Sequence, residues 1–201
     1  KEILNDPNID IVFILTRHNS HHLLICEALN AQKAVYCEKP LCINKEELNN
    51  IISAYRTLNT QPSTSPFLML GFNRRFAPTT RECMKFIGQN NKSSVVQIRV
   101  NAGFIPAESW VHKENEGGGR IIGEVCHFVD LAQAITGGLP TRVFAETLDS
   151  SMGFRDNLII SLKMDNRAIA NITYVANGDK SFPREEVQVF AGGSVCVIDN
   201  F

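Results

Sequence analysis

Apolar residues follow two different rhythms along this chain, and the change between them divides it. In the first third, short uninterrupted apolar runs alternate with helical stretches. Asp10-Ile11-Val12-Phe13-Ile14-Leu15 has the pattern of a strand buried on both faces. It ends in Thr16-Arg17-His18-Asn19-Ser20, and Ser20 is placed to cap a helix through His21–Leu29. Lys33–Cys37 reads as the next strand. A second helix starts near Asn44, where Asn44-Lys45-Glu46-Glu47 matches a capping box. Gln61–Pro66 is rich in turn residues and reads as a surface loop, and Phe67–Phe72 completes a β-α-β-α-β series. Strands alternating with helices predict a parallel sheet with right-handed crossovers.

The rhythm then changes. A helix over Pro78–Ile87 leads into Val95–Val100, an alternating strand, and three glycines (Gly117 to Gly119) precede a helix over Ile121–Ile135. Strands are predicted at Arg142–Leu148, Asn157–Met164, Ala168–Val175, Glu185–Phe190 and Ser194–Ile198. Short turns such as Met164-Asp165-Asn166-Arg167 favour antiparallel pairing. The domain boundary is expected near Phe72-Asn73, giving domains of 1–72 and 73–201. No internal repeat or low-complexity segment is visible.

Composition adds exclusions. The 201 residues are 44% hydrophobic and 20% charged with a net charge of −1, so no basic stripe points to nucleic acid. The longest apolar stretches are too short to cross a membrane, and the opening Lys1-Glu2 does not look like a secretory signal. Six scattered cysteines without a C-x-x-C pair read as free thiols of a reduced, cytoplasmic protein. No converging set of metal ligands can be assembled, and no G-x-S-x-G marks a hydrolase nucleophile. A parallel nucleotide-binding sheet should begin with strand, G-x-G-x-x-G and helix, but none occurs before Asp10. The chain is therefore expected to lack the first two or three βα units of such a domain.

Two residues stand out chemically. Lys39 follows a strand end, where open α/β sheets bind ligands, and Pro40 restricts it to extended geometry. Its ammonium suits polarising a substrate oxygen, and it reads equally well as a surface lysine paired with Glu38. His127 lies on the glycine-led helix beside Val125, Phe128, Leu131 and Ala132. An imidazole there suits proton transfer near neutrality, although most lone helical histidines are packing residues. A cleft between two domains could bring them together.

Glu38-Lys39-Pro40, followed about eighty residues later by Gly-Gly-Gly-Arg and Cys-His-Phe-Val-Asp-Leu, resembles the Gfo/Idh/MocA oxidoreductases. The resemblance covers nearly the whole chain. It implies an α/β protein: a partial Rossmann-type parallel sheet, then an α+β domain with a large, open, mostly antiparallel sheet that forms a homo-oligomer interface. It also implies NAD or NADP as cofactor and a sugar, polyol or nucleotide-sugar hydroxyl as substrate, with Lys39 and His127 catalytic. Cofactor contacts are implied for Thr16, His18 and His21, which stand in a segment similar to the family's T-P-N-x-x-H, and for Glu38, Lys39 and Pro40. Substrate contacts are implied for Arg74, Arg75, Trp110, Arg120, Glu124 and His127. For the arginines, ion pairing between domains is an equal alternative, and for Trp110 packing is the commoner role. The chain departs from the pattern at Gly123, where many relatives carry aspartate; Glu124, one place later, lies on the other flank of the helix. Asp130, one turn after His127, reads as a structural partner. A regulatory or scaffolding protein that senses nucleotide without catalysis is the competing function.

Overall fold

The computed structural model describes residues 2–58, 66–88, 94–149 and 155–201. Contacts divide the chain into two compact units, Lys1–Gly71 with Trp110–Glu124, and Phe72–Ser109 with Val125–Phe201.

In the first unit, helix α1 (Glu2–Asn5) and strand β1 (Ile11–Ile14) precede α2 (His21–Asn30), β2 (Ala34–Cys37), α3 (Lys45–Leu58) and β3 (Leu68–Leu70). The strands pair in parallel in the order β1-β2-β3, as the alternation of strand and helix predicts. Helices α2 and α3 pack on each other and on one face of the sheet, where Ile14, Ile25, Leu29, Val35, Cys37 and Ile51 are buried together. The expectation of a strand buried on both faces fails for β1. Phe13 is 65% exposed and Ile11 42%, because both connecting helices lie on the other side. The start of α3 forms as its sequence suggests: Asn44 Oδ1 accepts from Glu47 N–H at 2.9 Å, and the Glu47 carboxylate accepts from Ile43 N–H at 2.8 Å. Ser20 does not cap α2. Its hydroxyl donates back to the Arg17 carbonyl, within a short helical turn over His18–Ser20. Most of the expected loop over Gln61–Pro66 lies outside the described residues.

The second unit holds α4 (Pro78–Ile87), β4 (Val95–Asn101), α5 (Cys126–Thr136), β5 (Pro140–Thr147), β6 (Leu158–Met164), β7 (Ile169–Val175), β8 (Glu185–Ala191) and β9 (Ser194–Asp199). Among the described residues the sheet order is β5-β6-β7-β4-β8-β9, antiparallel except between β4 and β7. Strand alternation sorts its faces. One row, Ile160, Ile172, Ile98, Val187 and Ile198, is buried with Phe128, Leu131 and Ile135 of α5 and Cys83 of α4. The next row shows Phe144, Ser161, Asn171, Gln97, Gln188 and Val197 on the opposite face. Helix α5 opens as a wider turn over Ile121–Val125 and ends at Gly137 in the left-handed region, which glycine adopts without strain.

All six cysteines are free thiols. Burial pushes the Cys37 and Cys83 thiols up to about 12, leaving them protonated and unreactive. No helix among the described residues is long and apolar enough to cross a membrane.

Ile172, fully buried in the middle of the larger sheet, reports on this core. Ile172→Ala is expected to lower unfolding free energy by about 2–5 kcal/mol, read from urea denaturation.

Candidate active site

In open α/β sheets, ligands usually bind outside the carboxyl ends of the strands, where the connecting loops leave them. In the first unit, β1 runs out into Thr16 and His18, and β2 into Glu38, Lys39 and Pro40. His21, fully buried at the start of α2, ties the two ends together. Its ring nitrogens lie 2.7 Å from the Pro40 carbonyl and 3.0 Å from that of Thr16. The Thr16 hydroxyl meets Ser20 Oγ at 2.6 Å, and the Lys39-Pro40 peptide is cis. Glu38 does not pair with Lys39: its carboxylate accepts from the Tyr36 hydroxyl at 3.2 Å.

Lys39 is half-buried, and its ammonium donates to the carbonyl of Gly123 at 2.6 Å. That partner belongs to Trp110–Glu124, the segment that comes from far along the chain to join this unit. The segment is fastened at several points. Asn19 N–H donates to the Glu116 carbonyl at 3.2 Å, Arg17 bonds the Glu116 carboxylate, and His18 Nδ1 donates to the Gly117 carbonyl at 2.8 Å. Trp110 meets two of these side chains. The His18 ring meets it edge to face at 4.8 Å, and the Arg17 guanidinium stands 5.3 Å from its centre. Gly117 must lack a side chain, since a Cβ there would lie 2.4 Å from the Val111 carbonyl oxygen. Arg120 is buried and donates through Nε and Nη2 to both oxygens of Glu124, each at 3.0 Å.

The electrostatics follow from this packing. Burial lowers the His18 imidazole below its ordinary range; Lys39 and His21 add to the lowering, while the Gly117 carbonyl and Glu124 oppose it.

In the second unit, His127 on α5 is half-buried with its ring edge to face against Phe72 at 5.8 Å. Asp130 is engaged by Arg75, whose Nε donates to it at 2.8 Å and whose Nη2 donates to its other oxygen. Arg74 donates to both oxygens of the buried Glu185, at 2.8 and 2.7 Å. Both arginines thus find carboxylates within their own unit, and Asp130 holds Arg75.

The structure brings Lys39, His18, Trp110, Arg120 and Glu124 into the first unit and His127, Arg74 and Arg75 into the second. Reasoning from sequence missed the carbonyls of Gly117 and Gly123. For Gly117 the three adjacent glycines were the available signal, since they mark a close backbone approach without saying to what. Among the described residues no group of three or more His, Cys, Asp or Glu could hold a metal ion.

Comparisons agree with this architecture. Residues 1–64 match the model of an oxidoreductase family with an NAD-binding Rossmann fold, and residues 91–191 match that of the GFO/IDH/MocA C-terminal domain. Trans-1,2-dihydrobenzene-1,2-diol dehydrogenase of Danio rerio is 29% identical, covering 98% of this chain and 57% of its own length. Myo-inositol 2-dehydrogenase of Thermotoga maritima is 26% identical, covering 85% of this chain and 51% of its own. The chain thus spans little more than half the length of these relatives. The crystal structure of an oxidoreductase domain protein from Kribbella flavida shares the fold with a TM-score of 0.82 at 21% identity, over 98% of this chain and 56% of that one.

The lowered His18 value has a sign that can be checked. The unfolded chain takes up the proton first, so this group's contribution to stability is complete above the unfolded value of about 6.5 and is lost as pH falls through the folded one. Urea midpoints are expected to drop more steeply below that pH in the wild type than in His18→Gln.

Proposed function

Since the chain belongs to the Gfo/Idh/MocA oxidoreductase family, we propose that the whole protein is an NAD(P)-dependent dehydrogenase of a secondary hydroxyl on a polyol, sugar or nucleotide-sugar. The observation that carries this reading is Lys39. Its ammonium stands at the end of β2, oriented by the Gly123 carbonyl and unpaired with the neighbouring Glu38. An ammonium has three protons, so donation to one carbonyl leaves two for an incoming oxygen. The relatives named as dehydrogenases of inositol and of a dihydrodiol, and a fold neighbour solved with NADH and levoglucosan, support a hydroxyl-bearing substrate.

The residues at the strand ends suit the nicotinamide end of the cofactor, with the Thr16 hydroxyl and the Lys39 ammonium at the platform where such sheets take nucleotides. The sequence contains no G-x-G-x-x-G to receive the pyrophosphate. The bound cofactor would supply the hydride acceptor. Lys39 would donate to the substrate oxygen and stabilise negative charge developing there, and His127 is the proposed acceptor of the hydroxyl proton. For His127 the support is the family resemblance together with its place, half-buried, on the glycine-led helix α5. Arg74, Arg75 and Arg120 serve chiefly as structural ion-pair partners in this reading.

The proposed partner surface is the outer face of the larger sheet, forming a homo-oligomer. Phe144, Ile159, Ile169, Val195 and Val197 lie exposed on it, an apolar display of the kind that marks association surfaces.

Titration of the full-length protein with NADH and NADPH, followed by nicotinamide fluorescence, is expected to show binding of at least one. Absence of both would exclude the dehydrogenase reading, and binding without turnover of any polyol or sugar would favour a sensor. Lys39→Met is expected to lower kcat/KM by at least about a hundredfold, and a loss within threefold would remove Lys39 from catalysis. Ile159→Lys is expected to shift sedimentation to a smaller species without unfolding.

A further inference from the structure

Lys39 is oriented by a backbone carbonyl, and a carbonyl is only as well placed as the peptide that carries it. Gly123 has no side chain to anchor that peptide. What lies against it is the imidazole of His18: a Cβ built on Gly123 would stand 2.9 Å from His18 Cε1 and 3.4 Å from Nδ1. A side chain at 123 and the imidazole in its present place exclude each other. Several contacts hold the ring in that place. Its Nδ1 donates to the Gly117 carbonyl at 2.8 Å, its ring meets Trp110 at 4.8 Å, and the His21 ring lies 5.9 Å away. A single side chain therefore touches both ends of the stretch from Gly117 to Gly123.

The geometry points to His18 as the positioning residue of Lys39. It braces the Gly117–Gly123 stretch so that the Gly123 carbonyl stands where the Lys39 ammonium donates, and position 123 is glycine because the imidazole takes the room of a side chain. Burial and the nearby Lys39 favour a neutral ring. His21 acts in the same sense, and the Gly117 carbonyl and Glu124 oppose them. A protonated ring would repel the ammonium it helps to place. This inference meets the proposed dehydrogenase reading only through Lys39, and its test reads no turnover, so the two can fail separately.

The test is acetylation of the protein with acetic anhydride at about pH 8, where imidazoles are neutral. Peptide mass spectrometry reads the rate at Lys39 relative to Lys33, whose ammonium is held instead by the Asp6 carbonyl at 2.8 Å. His18→Ala is expected to raise this ratio at least about threefold, the scale of one lost hydrogen bond. Gly123→Ala is expected to do the same, because its methyl displaces the ring. His18→Gln, whose amide can donate to the Gly117 carbonyl, should return part of the protection. The double variant should label no faster than His18→Ala, since the space is already vacated. A ratio within about 1.5-fold of wild type in either single variant overturns the proposal, as does full multiplication of the two effects in the double variant. If His18→Ala does not fold, Gly123→Ala decides by the same threshold.

Discussion

A lysine ammonium drawn partly out of water must be met by an acceptor, and in the first unit that acceptor is a peptide carbonyl rather than a carboxylate. The choice matters chemically. A carboxylate partner would cancel the charge of Lys39, whereas the Gly123 carbonyl orients the ammonium and leaves its charge in place. Much else in the unit serves this contact. The Trp110–Glu124 segment has to reach the strand ends, so it is fastened at Glu116 and Gly117 through Asn19, Arg17 and His18 and carries its own ion pair between buried Arg120 and Glu124.

The second unit meets a different constraint. Among the described residues its sheet has six strands, and the buried side chains lie on the face that carries the helices. Its inner rows are mostly aliphatic, while its outer rows mix amides with exposed Phe144, Ile159 and Val197. Within the unit, carboxylates and guanidinium groups are matched before any ligand arrives, Arg74 with Glu185 and Arg75 with Asp130. Such bidentate pairs fix the geometry of both partners.

Cysteine and histidine chemistry separates along the same lines. Burial silences the thiols of Cys37 and Cys83, and His21 is consumed in bridging two strand ends. His18 is the exception: partly buried, lowered and in contact with both Trp110 and the glycine-rich stretch, it is the titratable side chain most closely tied to the surroundings of Lys39.

The order of elements, the parallel first sheet, the mostly antiparallel second one and the capping box at Asn44 and Glu47 were all legible in the sequence. Each depends on periodicity or on neighbours a few residues apart. The placing of Lys39 at a strand end was legible for the same reason. Only the tertiary structure decided which partner Lys39 takes, that Trp110–Glu124 joins the first unit, that Ser20 turns back instead of capping α2, and that β1 is covered on one face alone. Those outcomes depend on the room left between residues far apart in the chain, as where His18 fills the space beside Gly123, and no local pattern records that room.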